Sequence, residues 1–203
     1  MHTLLIVLVL CSGLGLLTAT ISSSTIDSDM AELMKLYRDM KALTPSAARR
    51  AAESGCQMID QCCPQVRSTF ISLIVSKNSQ ALHTQCFGER GSSGHISKVL
   101  SCAPMKKLFM MKDDPQLMKY QAIMKSKLTN DDENMRVTAQ VCSSDEVMSI
   151  ICNGDNLALV RSCQQKILEK YAQEGDNVYT EKIEQFKTET RAVIDALKQT
   201  FRP

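Results

Sequence analysis

Cysteine is the residue type in this sequence with the widest range of possible chemistry. The chain has nine cysteines among 203 residues. Their thiols can ligate zinc, act as nucleophiles or pair as disulfides, and spacing and neighbours decide between these roles. One of them, Cys11, lies in an apolar N-terminal stretch. The other eight are spread over the rest of the chain: Cys56, Cys62, Cys63, Cys86, Cys102, Cys142, Cys152 and Cys163.

Neither metal binding nor thiol catalysis fits this arrangement. Zinc sites use paired Cys-x-x-Cys units or histidine partners, and the sequence has neither pattern. A catalytic thiol needs a base, and the nearest candidate is His83, one helical turn before Cys86. A chain that is secreted, as the N-terminal residues predict, is not expected to keep a free thiol there. The sequence also lacks Gly-x-Ser-x-Gly, His-Glu-x-x-His and a phosphate-binding glycine loop. We therefore expect no catalytic residue, no metal and no cofactor, and a protein that is not an enzyme.

The N-terminal residues have the order of a secretory signal peptide. An apolar run from Leu4 to Leu17 is followed by small residues such as Ala19 and Ser22. The run is shorter than the ~20 apolar residues that a membrane-spanning helix needs. We predict a signal peptide over residues 1–20 and a secreted, extracellular chain; the alternative is an uncleaved signal anchor. No other apolar run approaches membrane length, so the cleaved protein is not expected to span a membrane.

Cleavage would remove Cys11 and leave an even number of cysteines in an oxidising compartment, which predicts four structural disulfides. Cys62 and Cys63 are adjacent and point in different directions, so we expect them to join two different elements. Cys142 and Cys152 flank a short helix and would lie ~15 Å apart, beyond the ~7 Å between Cα atoms that a disulfide allows. The sequence leaves the rest of the pairing open.

The distribution of the cysteines also bears on the number of domains. Of the eight, five precede the cysteine-free stretch 103–141 and three follow it. Because both numbers are odd, at least one bridge must cross that stretch if all eight pair internally. We therefore predict a single disulfide-cross-linked domain over residues 21–203. A free thiol or an intermolecular bridge on each half is the alternative.

The elements that must position these cysteines have helical patterns throughout. Apolar residues recur at helical spacing, and prolines and capping residues mark the starts of segments. Only residues 70–75 have the composition of a strand, and nothing pairs with them, which favours a buried helix. We predict an all-α fold of about eight helices. The main helical segments are 29–43, 46–62, 65–86, 104–111, 115–128, 143–152, 155–173 and 178–201, with shorter pieces at 95–102 and from 131.

Overall composition is that of an ordinary globular chain. Hydrophobic residues make up 44% and charged residues 23%, which excludes disordered and collagen-like classes. The 24 basic and 22 acidic residues leave a net charge of +2. That balance does not suit a nucleic-acid partner, and we expect none.

A methionine-rich middle segment is the candidate ligand site. The sequence has twelve methionines and no tryptophan, and methionine adapts to irregular apolar partners. Residues 98–127 carry seven lysines against two aspartates, a net charge of +5, which suits anionic head groups or the carboxylate of a fatty ligand. The alternatives are a soft methionine-rich core and a solvated helix face. The candidate ligand-binding residues are Met105, Leu108, Phe109, Met111, Met118, Met124, Lys106 and Lys107.

These features support two expectations of function. The first is a secreted, non-enzymatic binding protein that carries a small apolar or lipid ligand, with a closed cavity near residues 105–124. The alternative is an extracellular signalling or protein-interaction factor that presents the amphipathic end helices, 29–43 and 178–201, to a protein partner. It predicts an exposed apolar stripe. Neither end helix contains a cysteine, so we expect apolar packing alone to hold them.

Overall fold

A computed structural model describes residues 21–76, 78–129, 131–152 and 156–201 of the chain. The expected signal peptide, residues 1–20, lies outside the described residues. Within them the fold is all-α, as the helical spacing predicts, and contains eleven α-helices and no strand. Short π-helical and 3-10 segments, Met58–Cys62 and Pro64–Thr69, follow the second α-helix.

The α-helices are numbered here in chain order. Their bounds are α1 Ser23–Leu43, α2 Ser46–Gln57, α3 Phe70–Val75, α4 Ser79–Phe87, α5 His95–Ser101, α6 Ala103–Met111, α7 Pro115–Lys127, α8 Asp131–Val141, α9 Ser144–Cys152, α10 Leu157–Glu174 and α11 Asp176–Thr200.

The number of α-helices exceeds the predicted eight for two reasons: the shorter pieces at 95–102 and from 131 form the helices α5 and α8, and one expected segment is interrupted. Residues 65–86 form the end of the 3-10 segment, then α3 and α4, instead of one helix. Asn78 ends the interruption, since its side chain accepts a hydrogen bond of 2.8 Å from the backbone N–H of Ala81 and so starts α4. An interior asparagine competes with the helical backbone for hydrogen bonds, and here that competition makes a boundary.

The first helix begins six residues earlier than predicted. Ser22 is its N-cap and accepts from the N–H of Thr25 at 3.2 Å. Ile21 and Ile26, which precede the predicted start, pack partly buried against the same core as Met30. Burial of these two side chains extends the apolar face of α1 toward the N-terminus.

Four disulfides join all eight described cysteines. The pairs are Cys56–Cys152, Cys62–Cys102, Cys63–Cys86 and Cys142–Cys163, with Cα–Cα distances of 5.0–5.8 Å. The first pair spans 96 residues and crosses the cysteine-free stretch 103–141, as the odd numbers on its two sides require. The adjacent cysteines bridge to different elements, as expected.

The end helices α1 and α11 pack against each other and against α10. Their apolar faces meet in one core cluster that includes Met30, Leu33, Leu168 and Ile183. The expectation that apolar packing alone holds them is wrong, because charged side chains also cross this interface. Buried Lys187 of α11 donates to Asp29 and Glu32 of α1.

Candidate ligand-binding site

A cleft of about 310 Å³ lies between α4 and α6. Its floor is Met58, in the π-helical segment, and one side is open to solvent beside Arg90 and Phe109. The apolar side chains that line it are Met58, Leu82, Phe87, Met105 and Phe109. The polar ones are Ser79, Gln80, His83 and Arg90. The site is thus an open cleft rather than the expected closed cavity.

The adjacent cysteine pair holds both walls of this cleft. Cys63 bridges to Cys86 in the last turn of α4, and Cys62 bridges to Cys102, the residue before α6. One point of the backbone therefore anchors the end of one wall and the beginning of the other. Because the tethers are covalent, the distance between α4 and α6 does not depend on side-chain packing alone.

The floor of the cleft belongs to the protein core and its rim to the surface. Phe87 and Met58 are buried in the disulfide-linked cluster, together with Val66. Phe109, by contrast, keeps 52% of its surface exposed. A ligand that covers Phe109 would remove apolar surface from water, and such burial is the main source of affinity for apolar ligands.

Two histidines stand beside the open side of the cleft. The rings of His83 and His95 have centroids 5.1 Å apart. His95 Nδ1 donates to the carbonyl of Gly88 at 3.1 Å, because a carbonyl oxygen only accepts. Burial lowers the pKa of His83 below its ordinary value, and electrostatic repulsion from the neighbouring His95 and Arg90 lowers it further. His83 is therefore neutral at pH 7.

The loop between α4 and α5 carries the cationic group of the cleft. Gly88, Gly91 and Gly94 all have positive φ, between 82° and 89°, which side chains with a Cβ rarely adopt. These glycines let the loop turn back and place Arg90 at the cleft. Arg90 is exposed and forms no ion pair with another described residue. Its guanidinium is thus available to an anionic group at the open side.

The structure brings together only part of the predicted ligand set. Met105 and Phe109 line the cleft, and Leu108 packs beneath them in the disulfide-linked cluster. Lys106 and Lys107 are exposed on the outer face of α6.

The other three methionines of that set lie elsewhere. Met111 packs against the cluster of Ala47, Ala48 and Leu117. Met118 is exposed on α7, and Met124 lines a separate, wider cleft beside Tyr120. The apolar side chains of residues 105–124 therefore face several directions.

The opposite wall of the cleft has no counterpart in the sequence-based set. Leu82, His83 and Phe87 come from α4, and the cation is Arg90 rather than Lys106 or Lys107. A usable signal was the Cys62–Cys63 pair, which implies that two elements converge on one point. It does not say which two elements they are.

The described residues show neither a free cysteine beside His83 nor a group of metal ligands. Cys86, the thiol nearest to His83, is bonded to Cys63 and is not free. No three His, Cys, Asp or Glu side chains among the described residues are grouped as metal ligands. None of the helices within those ranges is long and apolar enough to cross a membrane.

Comparisons with models of protein families, with curated proteins and with solved structures give no match for this chain. The proposed function therefore rests on the geometry and chemistry of the cleft.

Proposed function

We propose that the protein is a secreted, non-enzymatic binding protein that carries a small apolar ligand in the α4–α6 cleft. Four disulfides fit an extracellular protein, since such bridges persist in oxidising compartments. The described helices contain no membrane span. Secretion through the N-terminal signal peptide is part of the same proposal.

The observation that carries the proposal is the apolar lining of the cleft. Its volume of about 310 Å³ lies at the lower end of the range for small-molecule sites. Most of the lining is apolar, and a few polar groups converge on the open side, which is the usual composition of a ligand site. Arg90 suits a carboxylate or another acidic head group there, while Met105 and Phe109 would contact the apolar part.

The alternative, an interaction factor that presents its end helices, finds less support. The apolar faces of α1 and α11 are buried in the core that they share with α10. None of the large apolar side chains exposed in the described part of the chain lies on either helix. These faces are used to hold the fold together.

The experiment measures binding of the neutral fluorophore N-phenylnaphthylamine to protein recovered from the medium of cells that express the full chain. Phe109→Ser is expected to weaken binding about tenfold, because the apolar area at the rim is lost. Met110→Ser is the matched control: Met110 is 86% exposed and does not line the cleft. Equal loss in both variants, or no binding by the parent protein, would contradict the carrier.

A second probe tests the acidic head group. Anilinonaphthalenesulfonate shares the aromatic part of the first probe and adds an anion. Arg90→Gln is expected to weaken its binding about fivefold while the neutral probe binds as before, since exposed ion pairs contribute up to about 1 kcal/mol.

The same expression experiment tests secretion. Recovery of the chain only inside the cells would contradict secretion.

A further inference from the structure

The α5–α6 face is the outer surface of the two helices that follow the glycine loop, and its composition is unusual. Residues 95–112 include four lysines and no aspartate or glutamate: Lys98, Lys106, Lys107 and Lys112. All four are exposed. Among the described residues only Asp113 lies within ion-pair distance of any of them, at 3.8 Å from Lys112. These two helices therefore carry a surplus of exposed positive charge.

The same two helices also expose large apolar side chains. Ile96 and Leu100 of α5 and Phe109 and Met110 of α6 are all more than half exposed. At 100° per residue, Phe109, Lys106, Met110 and Lys107 follow one another around the outside of α6. Met105 and Leu108 occupy the inner side. Apolar and cationic side chains thus alternate around the outside of α6, beside the exposed Ile96 and Leu100 of α5.

We propose that the α5–α6 face docks the protein on an anionic lipid surface. A basic surface alone would suit any anionic partner, and an apolar surface alone would suit a protein groove. Lysines interleaved with exposed apolar side chains are the combination that peripheral helices use: the lysines attract anionic head groups and the apolar side chains enter the boundary of the acyl chains. Lysine stems are long enough to keep their ammonium groups at the head groups while Met110 enters more deeply.

This proposal is independent of the carrier function, although the two sites adjoin. Phe109 belongs both to the α5–α6 face and to the rim of the cleft. A protein docked by this face would therefore hold the open side of the cleft next to the lipid.

The test is co-sedimentation of the full chain with vesicles of phosphatidylcholine, with or without phosphatidylserine. We expect binding to the anionic vesicles, weaker binding as salt rises, and little binding to pure phosphatidylcholine. Lys106→Glu with Lys107→Glu is expected to reduce the affinity at least about 30-fold. Both lysines are exposed, and acids in the first half of a helix are tolerated, so the fold should persist.

The matched control is Lys119→Glu with Lys125→Glu on α7, which changes the net charge equally at two other exposed positions. It is expected to keep most of the affinity, whereas Met110→Ser should lose about tenfold. Absence of binding, equal binding to neutral vesicles, or an equal loss in the control overturns the proposal. So does tight binding of polyglutamate with no effect of Met110→Ser, which would assign the face to an acidic protein.

The readout keeps this proposal separate from the carrier function. Fluorophore binding is measured without vesicles, and vesicle binding without fluorophore. If the protein binds the fluorophore but not the vesicles, the lipid proposal fails; if it binds the vesicles but not the fluorophore, the carrier proposal fails.

Discussion

Glu146 is a buried carboxylate that links two helices. It is 4% exposed and accepts hydrogen bonds from the backbone N–H of Ser143 at 2.7 Å, from Ser162 Oγ at 2.6 Å and from Lys166 Nζ at 2.7 Å. Burial raises the pKa of Glu146, but the hydrogen bonds from Lys166, Ser162 and Ser143 outweigh it and lower the pKa to about 2. The ionised side chain therefore ties the start of α9 to α10.

The lowered pKa of Glu146 predicts a specific loss of stability in acid. A depressed folded-state pKa gives stabilisation that is present above the ordinary pKa, near 4.5, and disappears as the pH falls toward 2. Glu146→Gln is expected to lower the free energy of unfolding at pH 7 by about 2 kcal/mol and to flatten its change between these pH values. Urea unfolding at a series of pH values measures both effects.

The control for this prediction is Asp145→Asn, one residue away. Asp145 is exposed and pairs with Arg67 at the surface, at 3.0 Å. Its substitution should cost less than about 1 kcal/mol, because exposed ion pairs contribute little. An equal loss of unfolding free energy in both variants would show that burial does not strengthen the interactions of Glu146.

Glu146 also shows what the sequence reveals about a single residue. Ser143 with Glu146 three positions later is a capping box, and the predicted start of this helix rests on that local pattern. The N–H of Glu146 indeed donates to Ser143 Oγ at 3.2 Å. Ser162 and Lys166 lie on the next helix, and no spacing rule relates them to Glu146. The same holds for the cleft: Met105 and Phe109 lie on one helix and could be grouped from the sequence, whereas Leu82 lies on another helix and could not.

The pair formed by α1 and α11 contains a buried cation. Lys187 is 5% exposed and donates to Asp29 at 2.7 Å, Glu32 at 2.9 Å and Glu184 at 3.2 Å. Burial lowers the pKa of Lys187, but the hydrogen bonds that it donates to these acids outweigh this effect and raise the pKa above its ordinary value. Tyr179 donates its hydroxyl to the same Asp29 at 2.7 Å. Lys187 is therefore charged at neutral pH.

Removal of this cation is expected to loosen the end helices. Lys187→Met keeps the apolar stem but leaves the carboxylate of Asp29 largely buried without its cation, at a cost of about 3 kcal/mol in the free energy of unfolding. Chemical denaturation measures that cost. Lys170→Met, which removes a partly exposed pair with Glu174, should cost less than about 0.5 kcal/mol. If Lys187→Met left the free energy of unfolding unchanged, apolar packing alone would be enough to hold these helices.

The sequence predicts the end helices but not this polar contact. Apolar spacing identifies their inner faces through residues such as Tyr179 and Ile183. Lys187 lies one turn after Ile183 on that face, where a pattern based on apolar residues simply has a gap. Two of its three acidic partners, Asp29 and Glu32, are on α1, more than a hundred residues earlier, so only the folded chain relates them to Lys187.

Across the chain, the number of disulfides follows from the sequence and their pairing does not. Counting cysteines on each side of the stretch 103–141 requires a bridge across it, and Cys56–Cys152 meets that requirement. Counting cannot choose among the many pairings that do so. The choice depends on how α2 packs against α6 and α9, which is a property of the whole fold.

The long bridge is expected to stabilise the fold more than the short one. Cys56–Cys152 closes 96 residues and Cys142–Cys163 closes 21. In the chain-entropy description the difference is about 1 kcal/mol in favour of the longer loop. Double Cys→Ala variants of each pair, compared by thermal and urea unfolding, measure it. A larger cost for the short bridge would show that enthalpy or residual structure of the unfolded chain decides instead.

The adjacency of Cys62 and Cys63 has a consequence for how the protein is made. Exchange of their partners gives an isomer with Cys62–Cys86 and Cys63–Cys102, which has the same mass and the same number of bridges. In that isomer the two walls of the cleft would trade anchor points. Thiol–disulfide exchange during folding must therefore select between two pairings that differ by one residue. Intact mass does not distinguish the two isomers, and neither does the mass of a digest peptide that holds both cysteines. Partial reduction and stepwise alkylation, which label Cys62 and Cys63 separately, distinguish the native pairing from this isomer.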